Sequence, residues 1–243
     1  MKINFIGLSS FLFTSENGYT ILTDPFSDAP EDQLGISFPT EIRPNLTLVS
    51  HNDPDHCNLR FKMVTAPAEL NLTKIKSQEY NGDNFDILKF EIDSLKIVHF
   101  ADQSTELTDE QLGAVGKIDI AICPAPKVDG QKMPQVLEIT KDNIEKMNPN
   151  LVLWSHFITP KGWVDSSDRR NFFVEFFSKN ARTNKNYIGK DTFVELYYSL
   201  QNAIHLNDYF GGKRIDGCII ELDSSKILSK SILFEQMLAR PVA

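Results

Sequence analysis

The chain has 243 residues, 41% hydrophobic and 24% charged, with 12 Gly, 12 Pro and 3 Cys, an ordinary globular composition that excludes collagen, coiled coil and wholesale disorder. With 33 acidic against 25 basic residues the net charge is −8, which opposes binding to phosphate backbones or anionic lipid, so a small-molecule substrate is the expected partner, with no nucleic acid and no membrane. Cys57, Cys123 and Cys218 lie far apart without a C-x-x-C pair, so no zinc ribbon or disulfide frame is expected and a reducing, cytoplasmic setting fits.

Short apolar runs bounded by turn residues fill the first half of the chain and predict strands at 2–7, 10–15, 19–24, 46–50, 72–76, 86–92, 95–100 and 118–123. The N-terminal run could be mistaken for a signal segment, but Gly7, Ser9 and Ser10 interrupt it and Glu16-Asn17-Gly18 turns it into a further apolar stretch, as a hairpin does. Asp93-Ser94 joins two of the later strands as a two-residue connection. Thr108 followed by Gln111 has the spacing of a capping box and predicts a helix to about residue 115. A second helix is expected over 140–147, stopped by Asn148-Pro149, and it feeds a strand at 151–155. Phe172, Phe173, Phe176 and Phe177 form a ridge on a predicted helix over 166–180, which reads as core packing. Further on, 192–204 reads as helix and 217–222 as strand. No span of 18 apolar residues occurs, so no membrane helix is expected. No linker divides the chain, and one domain over 1–243 is the expectation.

The chemistry concentrates where strands end. After the apolar run at 46–50 come His51, Asp53, Asp55 and His56, two imidazoles and two carboxylates within six residues. A sheet fixes the backbone at such a point and the loop aims the ligands. Imidazole with carboxylate suits zinc, manganese or iron. Two other predicted strands end similarly, one in His99 and Asp102, the other in His156. Three strand ends bearing His or Asp imply convergence on one site. His205 stands in a polar stretch without partners and reads as a surface residue.

These motifs resemble the metallo-β-lactamase superfamily, in the branch of ascorbate-phosphate lactonase-like proteins and other metal-dependent hydrolases. Ile21 to Phe26 resembles the early strand ending in Asp-Pro, His51 to His56 resembles H-x-H-x-D-H, His99 to Asp102 resembles H-x-G-D, and Ser155-His156-Phe157 resembles the final H-[YF]. The resemblance covers about 1–165. It implies an α+β fold, the αββα four-layer sandwich, and hydrolysis of an ester, lactone or phosphodiester by metal-activated water. By position, it makes His51 a ligand of a first metal, Asp55, His56 and His156 ligands of a second, and Asp102 the bridging carboxylate. Asp24 would hold a ligand imidazole, and His99 would orient a carboxylate or the substrate.

The departures bear on activity. Asp53 stands where the family has its second His, and no histidine lies between His56 and His99 to supply the first site's third. Ala101 replaces the Gly before Asp102, and Leu8 stands where relatives often have His. The expectation is one divalent ion, Zn, Mn or Fe, at the Asp55/His56/Asp102/His156 site, with Asp53 as a marginal ligand and Asp53, Asp55 and His99 as the candidate catalytic side chains. A relative that has lost catalysis and binds a ligand or partner through the same cleft is the alternative. A di-iron oxidoreductase and a Cys57 nucleophile are weaker readings.

Overall fold

Two fully buried strands, β9 (Ile120–Pro124) and β10 (Leu151–Ser155), carry almost unbroken apolar sequence, as expected of parallel strands covered on both faces. They lie side by side in a seven-stranded sheet of the computed structural model, which describes residues 1–27, 36–61, 65–159, 171, 190–223 and 229–241. The other described strands are β1 (Lys2–Gly7), β2 (Ser10–Thr14), β3 (Thr20–Thr23), β4 (Ile36–Ser37), β5 (Leu46–Leu48), β6 (Thr73–Gln78), β7 (Asn84–Ile92), β8 (Leu95–His99), β11 (Lys213–Ile215), β12 (Ile219–Glu221), β13 (Ser231–Phe234) and β14 (Arg240–Pro241). The seven-stranded sheet has the order β11-β13-β10-β9-β8-β7-β6 and a five-stranded sheet the order β12-β1-β2-β3-β5, while β14 pairs with β4.

The sheets face each other through phenylalanines. Phe13 of β2 meets Phe90 of β7 edge to face at 5.4 Å, and Phe5 of β1 stacks on Phe234 of β13 at 5.6 Å. All four rings are buried, each stabilising the fold by about 1.5–3 kcal/mol through burial alone. At the sheet edge, β6 alternates exposed and buried residues and turns Lys74 and Lys76 outward onto Asp86, charges that discourage another strand from pairing there.

Helix α1 (Asp109–Val115) begins with the expected capping box, Thr108 accepting from the Gln111 N–H and Gln111 answering at the Thr108 N–H. Helix α2 (Pro134–Met147) starts six residues before its expected position, with Pro134 pre-setting its first turn, and closes as expected on Asn148 in the left-handed conformation. Helix α3 (Lys190–Tyr209) extends the expected 192–204 in both directions. It packs on β10 and β13, and α1 on β6, so these helices cover the seven-stranded sheet. The helix predicted at 166–180 lies outside the described residues. The strand predicted at 217–222 is realised as β12, which joins the five-stranded sheet. Strands β4, β11, β13 and β14 were not expected.

Topology sets the site. Strands β8, β9 and β10 run parallel, β6 shares their direction through two antiparallel pairings, and β3 runs parallel to β5. The C-terminal ends of six strands from two sheets therefore lie at one edge of the sandwich, where α/β proteins gather functional side chains.

Candidate metal centre

The site is built from behind. Asp24, the first residue after β3, is fully buried and adopts φ 41°. Its Oδ1 accepts from the Ser50 N–H at 2.8 Å and its Oδ2 from the Ser50 hydroxyl at 2.7 Å. The same Oδ2 lies 2.8 Å from His56 Nδ1. The carboxylate thus fixes a proton on Nδ1 and presents Nε2 forward as a lone pair, the arrangement metal-ligating histidines use. Asp24 therefore holds the His56 imidazole.

In front of His56 four donors converge. Asp102 Oδ1 lies 2.8 Å from His56 Nε2 and 2.8 Å from His156 Nε2. Asp55 Oδ2 lies 3.2 Å from His156 Nε2 and 3.7 Å from His56 Nε2, and the two imidazole nitrogens are 3.4 Å apart. Ligands about 2.0–2.2 Å from a tetrahedral ion stand roughly 3.3–3.6 Å from one another; three of these separations lie near that range, and the two 2.8 Å contacts of Asp102 Oδ1 are the ones an ion would lengthen. Asp102 Oδ1 is buried and has no well-aligned hydrogen bond from either imidazole, although both stand 2.8 Å away. An oxygen in that condition is costly unless a cation meets it. These residues fit a divalent ion by number, type and spacing.

The charges agree. Burial raises the pKa of Asp102, but His56, His156 and Lys127 outweigh it and hold the group well below the usual carboxylate range. Asp55 is lowered on the same balance of burial against His56, His156 and Lys127. Burial pulls His56 down, yet Asp102, Asp55 and Asp24 push it well above the ordinary histidine value. His156 is raised by Asp102 and Asp55 against burial and Lys127. Without a metal these carboxylates hold protons on the imidazoles; an ion entering the cluster takes the place of those protons.

His51 occupies the neighbouring position. Its Nδ1 is 2.9 Å from the Ser50 hydroxyl, whose single proton is already given to Asp24, so Nδ1 donates and Nε2 carries the lone pair. That Nε2 is buried without a hydrogen-bond partner, 3.9 Å from Asp102 Oδ2 and 3.3 Å from Asp53 Oδ2. The Asp53 side chain is 54% exposed and stands at the rim. Asp102 thus directs Oδ1 to the four-donor cluster and Oδ2 toward His51.

Glu79, at the end of β6, completes a second group with His51 and Asp102, their donor atoms all within 4.8 Å. Burial and the Asp102 charge beside it push its pKa up to about 7. Sequence reasoning missed this residue because it looked for a histidine in that interval. A carboxylate one residue beyond a strand whose neighbours end in ligands was the available signal.

The structure does not bring His99 to the donor cluster. Its Nε2–H donates to the Ser9 carbonyl at 2.8 Å and its Nδ1 accepts from the Ala101 N–H at 3.0 Å. Burial keeps it neutral, with its pKa lowered despite Asp24 at 3.7 Å. Both nitrogens are occupied by backbone, so the expected catalytic or substrate-orienting role has no free atom, and His99 instead ties the end of β8 to the β1–β2 turn. Cys57 is half-buried and its thiol is pushed up by burial and by Asp24, the opposite of an activated nucleophile.

Backbone strain gathers here. Leu8, Asp24, Ala101 and His156 all have positive φ, at 53°, 41°, 47° and 69°. Leu8 and Phe157 form a β-bridge, with Leu8 N–H donating to Phe157 O and His156 N–H to Leu8 O. The two sheets are thereby stitched together beside His156, and the residue standing where relatives often have His does structural work.

The family model described as "Beta-lactamase superfamily domain" matches residues 2–156. No curated protein sequence matches. A solved structure from Thermotoga maritima, described as a candidate Zn-dependent hydrolase of the metallo-β-lactamase superfamily, is similar with a TM-score of 0.59 and 18% identity, covering 96% of this chain and 98% of that one. The metallo-β-lactamase fold protein YhfI from Bacillus subtilis gives 0.43 and 14%, covering 64% and 85%. The diiron β-hydroxylase CmlA from Streptomyces venezuelae gives 0.46 and 12%, covering 99% and 53%.

Proposed function

Because the chain belongs to the β-lactamase superfamily domain family, whose fold is the α+β sandwich seen here, we propose that it is a metal-dependent hydrolase acting on an ester, lactone or phosphodiester of a small molecule. The observation that carries this reading is the convergence of Asp55 Oδ2, His56 Nε2, Asp102 Oδ1 and His156 Nε2 on one point. One divalent ion is held there, and two carboxylates with two imidazoles suit Mn or Fe as well as Zn.

Such an ion supplies water activation near neutral pH and Lewis-acid stabilisation of the oxyanion. Asp24 holds His56 in the ligating tautomer, and Ser50 holds both Asp24 and His51. Asp53 is exposed at the rim and not part of the four-donor cluster, which supports assigning it the general-base role toward the attacking water. Asp55 has Oδ2 turned into the cluster and serves as ligand.

Elemental analysis of untagged protein, with His156→Ala as the control, tests the reading. One ion per chain, lost in the variant together with turnover of phosphodiesters and lactones, is expected. A chain that takes up no ion from Zn, Mn or Fe solutions overturns it and leaves a non-catalytic binding protein built on the same scaffold.

A further inference from the structure

Lys127 is the one cationic side chain other than histidine that reaches the candidate centre among the described residues. It lies in the loop after β9, and its backbone is clamped on both sides by the buried Asn202 of α3, whose side-chain N–H groups donate to Pro126 O and Val128 O at 2.8 Å each. Lys127 Nζ lies 3.4 Å from Asp102 Oδ2 and 3.8 Å from Asp55 Oδ2. Glu79 adds its charge from the β6 side. The ammonium therefore addresses the same Asp102 oxygen that faces His51 Nε2 at 3.9 Å.

This matters because the second group of donors is not merely acidic. His51 Nε2 points into it as a buried lone pair without a hydrogen-bond partner, on a side chain only 8% exposed. Without Lys127, the trio of His51, Glu79 and Asp102 Oδ2 is a cation site. With it, an ammonium stands 3.4 Å from Asp102 Oδ2, on the side of the second group and beside any divalent ion in the four-donor cluster. A second divalent ion would sit within a few ångströms of both and be repelled by each.

We propose that the Lys127 ammonium is the second cation of this centre: it holds the Asp102 Oδ2 and Glu79 side in place of a metal, keeps the protein mononuclear, and its removal opens a second divalent site formed by His51, Glu79 and Asp102. The inference rests on the four-donor cluster binding an ion, as proposed above. Lys127 is a positioning residue that acts through Asp102 and Glu79.

The test is Mn(II) stoichiometry with electron paramagnetic resonance, on the full chain, for wild type, Lys127→Met, Lys127→Gln, Lys127→Arg and the double variant Lys127→Met/Glu79→Gln, with circular dichroism reporting the fold. Wild type is expected to hold one ion with an uncoupled Mn signal. The Met and Gln variants should hold two, with a spin-coupled signal and second-ion affinity raised at least about tenfold. The Arg variant keeps the charge and should return to one ion, and the double variant loses a ligand and should do the same. One ion in both folded neutral variants overturns the inference while leaving the single-ion reading intact; two ions in wild type overturns the inference and the one-ion count, leaving only metal binding by the four-donor cluster. No ion in any folded protein overturns that reading, and this inference with it.

Discussion

The two halves of the candidate centre share Asp102 and differ in almost everything else. On the His56 side three of the four donor side chains are at most 5% exposed, and His56 is backed by a carboxylate that is itself held by Ser50. On the His51 side the imidazole is backed only by a hydroxyl, Asp53 is exposed, and Glu79 sits at a hairpin turn. The contrast teaches that ligand type alone does not make a metal site. Donors must also be fixed by neighbours whose protons are already committed.

Asp24 should break the strong half most completely. Asp24→Asn removes a buried charge that accepts from Ser50 and His56, and is expected to cost about 3–5 kcal/mol in unfolding free energy, read by urea denaturation, together with loss of the ion. An unchanged denaturation midpoint would show that the brace is dispensable. Removing a ligand instead of the brace separates stability from binding: Asp55→Ala should keep the fold by circular dichroism while ion affinity falls by more than the roughly 10–100-fold that loss of a ligand's hydrogen-bonded partner costs.

The strong half also carries a pH signature. The raised His56 and His156 values mean that, in the metal-free protein, their stabilisation is complete below the unfolded value of 6.5 and is lost as pH rises through the folded values. Melting temperatures in chelator should fall over that window, whereas those of the metal-loaded protein should not, since the ion has replaced the protons. Parallel curves would contradict this.

Two smaller effects sharpen the comparison. Ala101→Gly relieves a left-handed residue beside Asp102 and should raise stability by about 1 kcal/mol, measured by thermal melting. Glu79, with a folded value raised to about 7 from 4.5, is destabilising once ionised in the metal-free chain, so Glu79→Gln should match wild type at low pH. Above neutrality it should exceed wild type by less than about 1 kcal/mol, because the group is half exposed. A variant less stable than wild type there would place Glu79 in a supporting contact.

Much of this was legible in the residues. The Asp93-Ser94 connection was readable as a hairpin from its spacing, and the structure shows how it turns without glycine, both residues adopting positive φ at 51° and 64°. Asp24, His51, Asp55, His56, Asp102 and His156 were readable as one site because each follows an apolar run. Glu79 was not, since its carboxylate looks like any other on a polar edge strand. Lys127 was not either, because nothing local marks a lysine that reaches across a loop to two carboxylates.

The sequence by itself determined the strand ends and the ligand types, because hydrophobic runs and turn residues act locally. Only the tertiary structure decided which donors meet, that His99 is consumed by Ser9 and Ala101, and that Lys127 and His51 address one oxygen of Asp102. Those outcomes depend on the direction of strands distant in the chain and on where each buried proton is already committed.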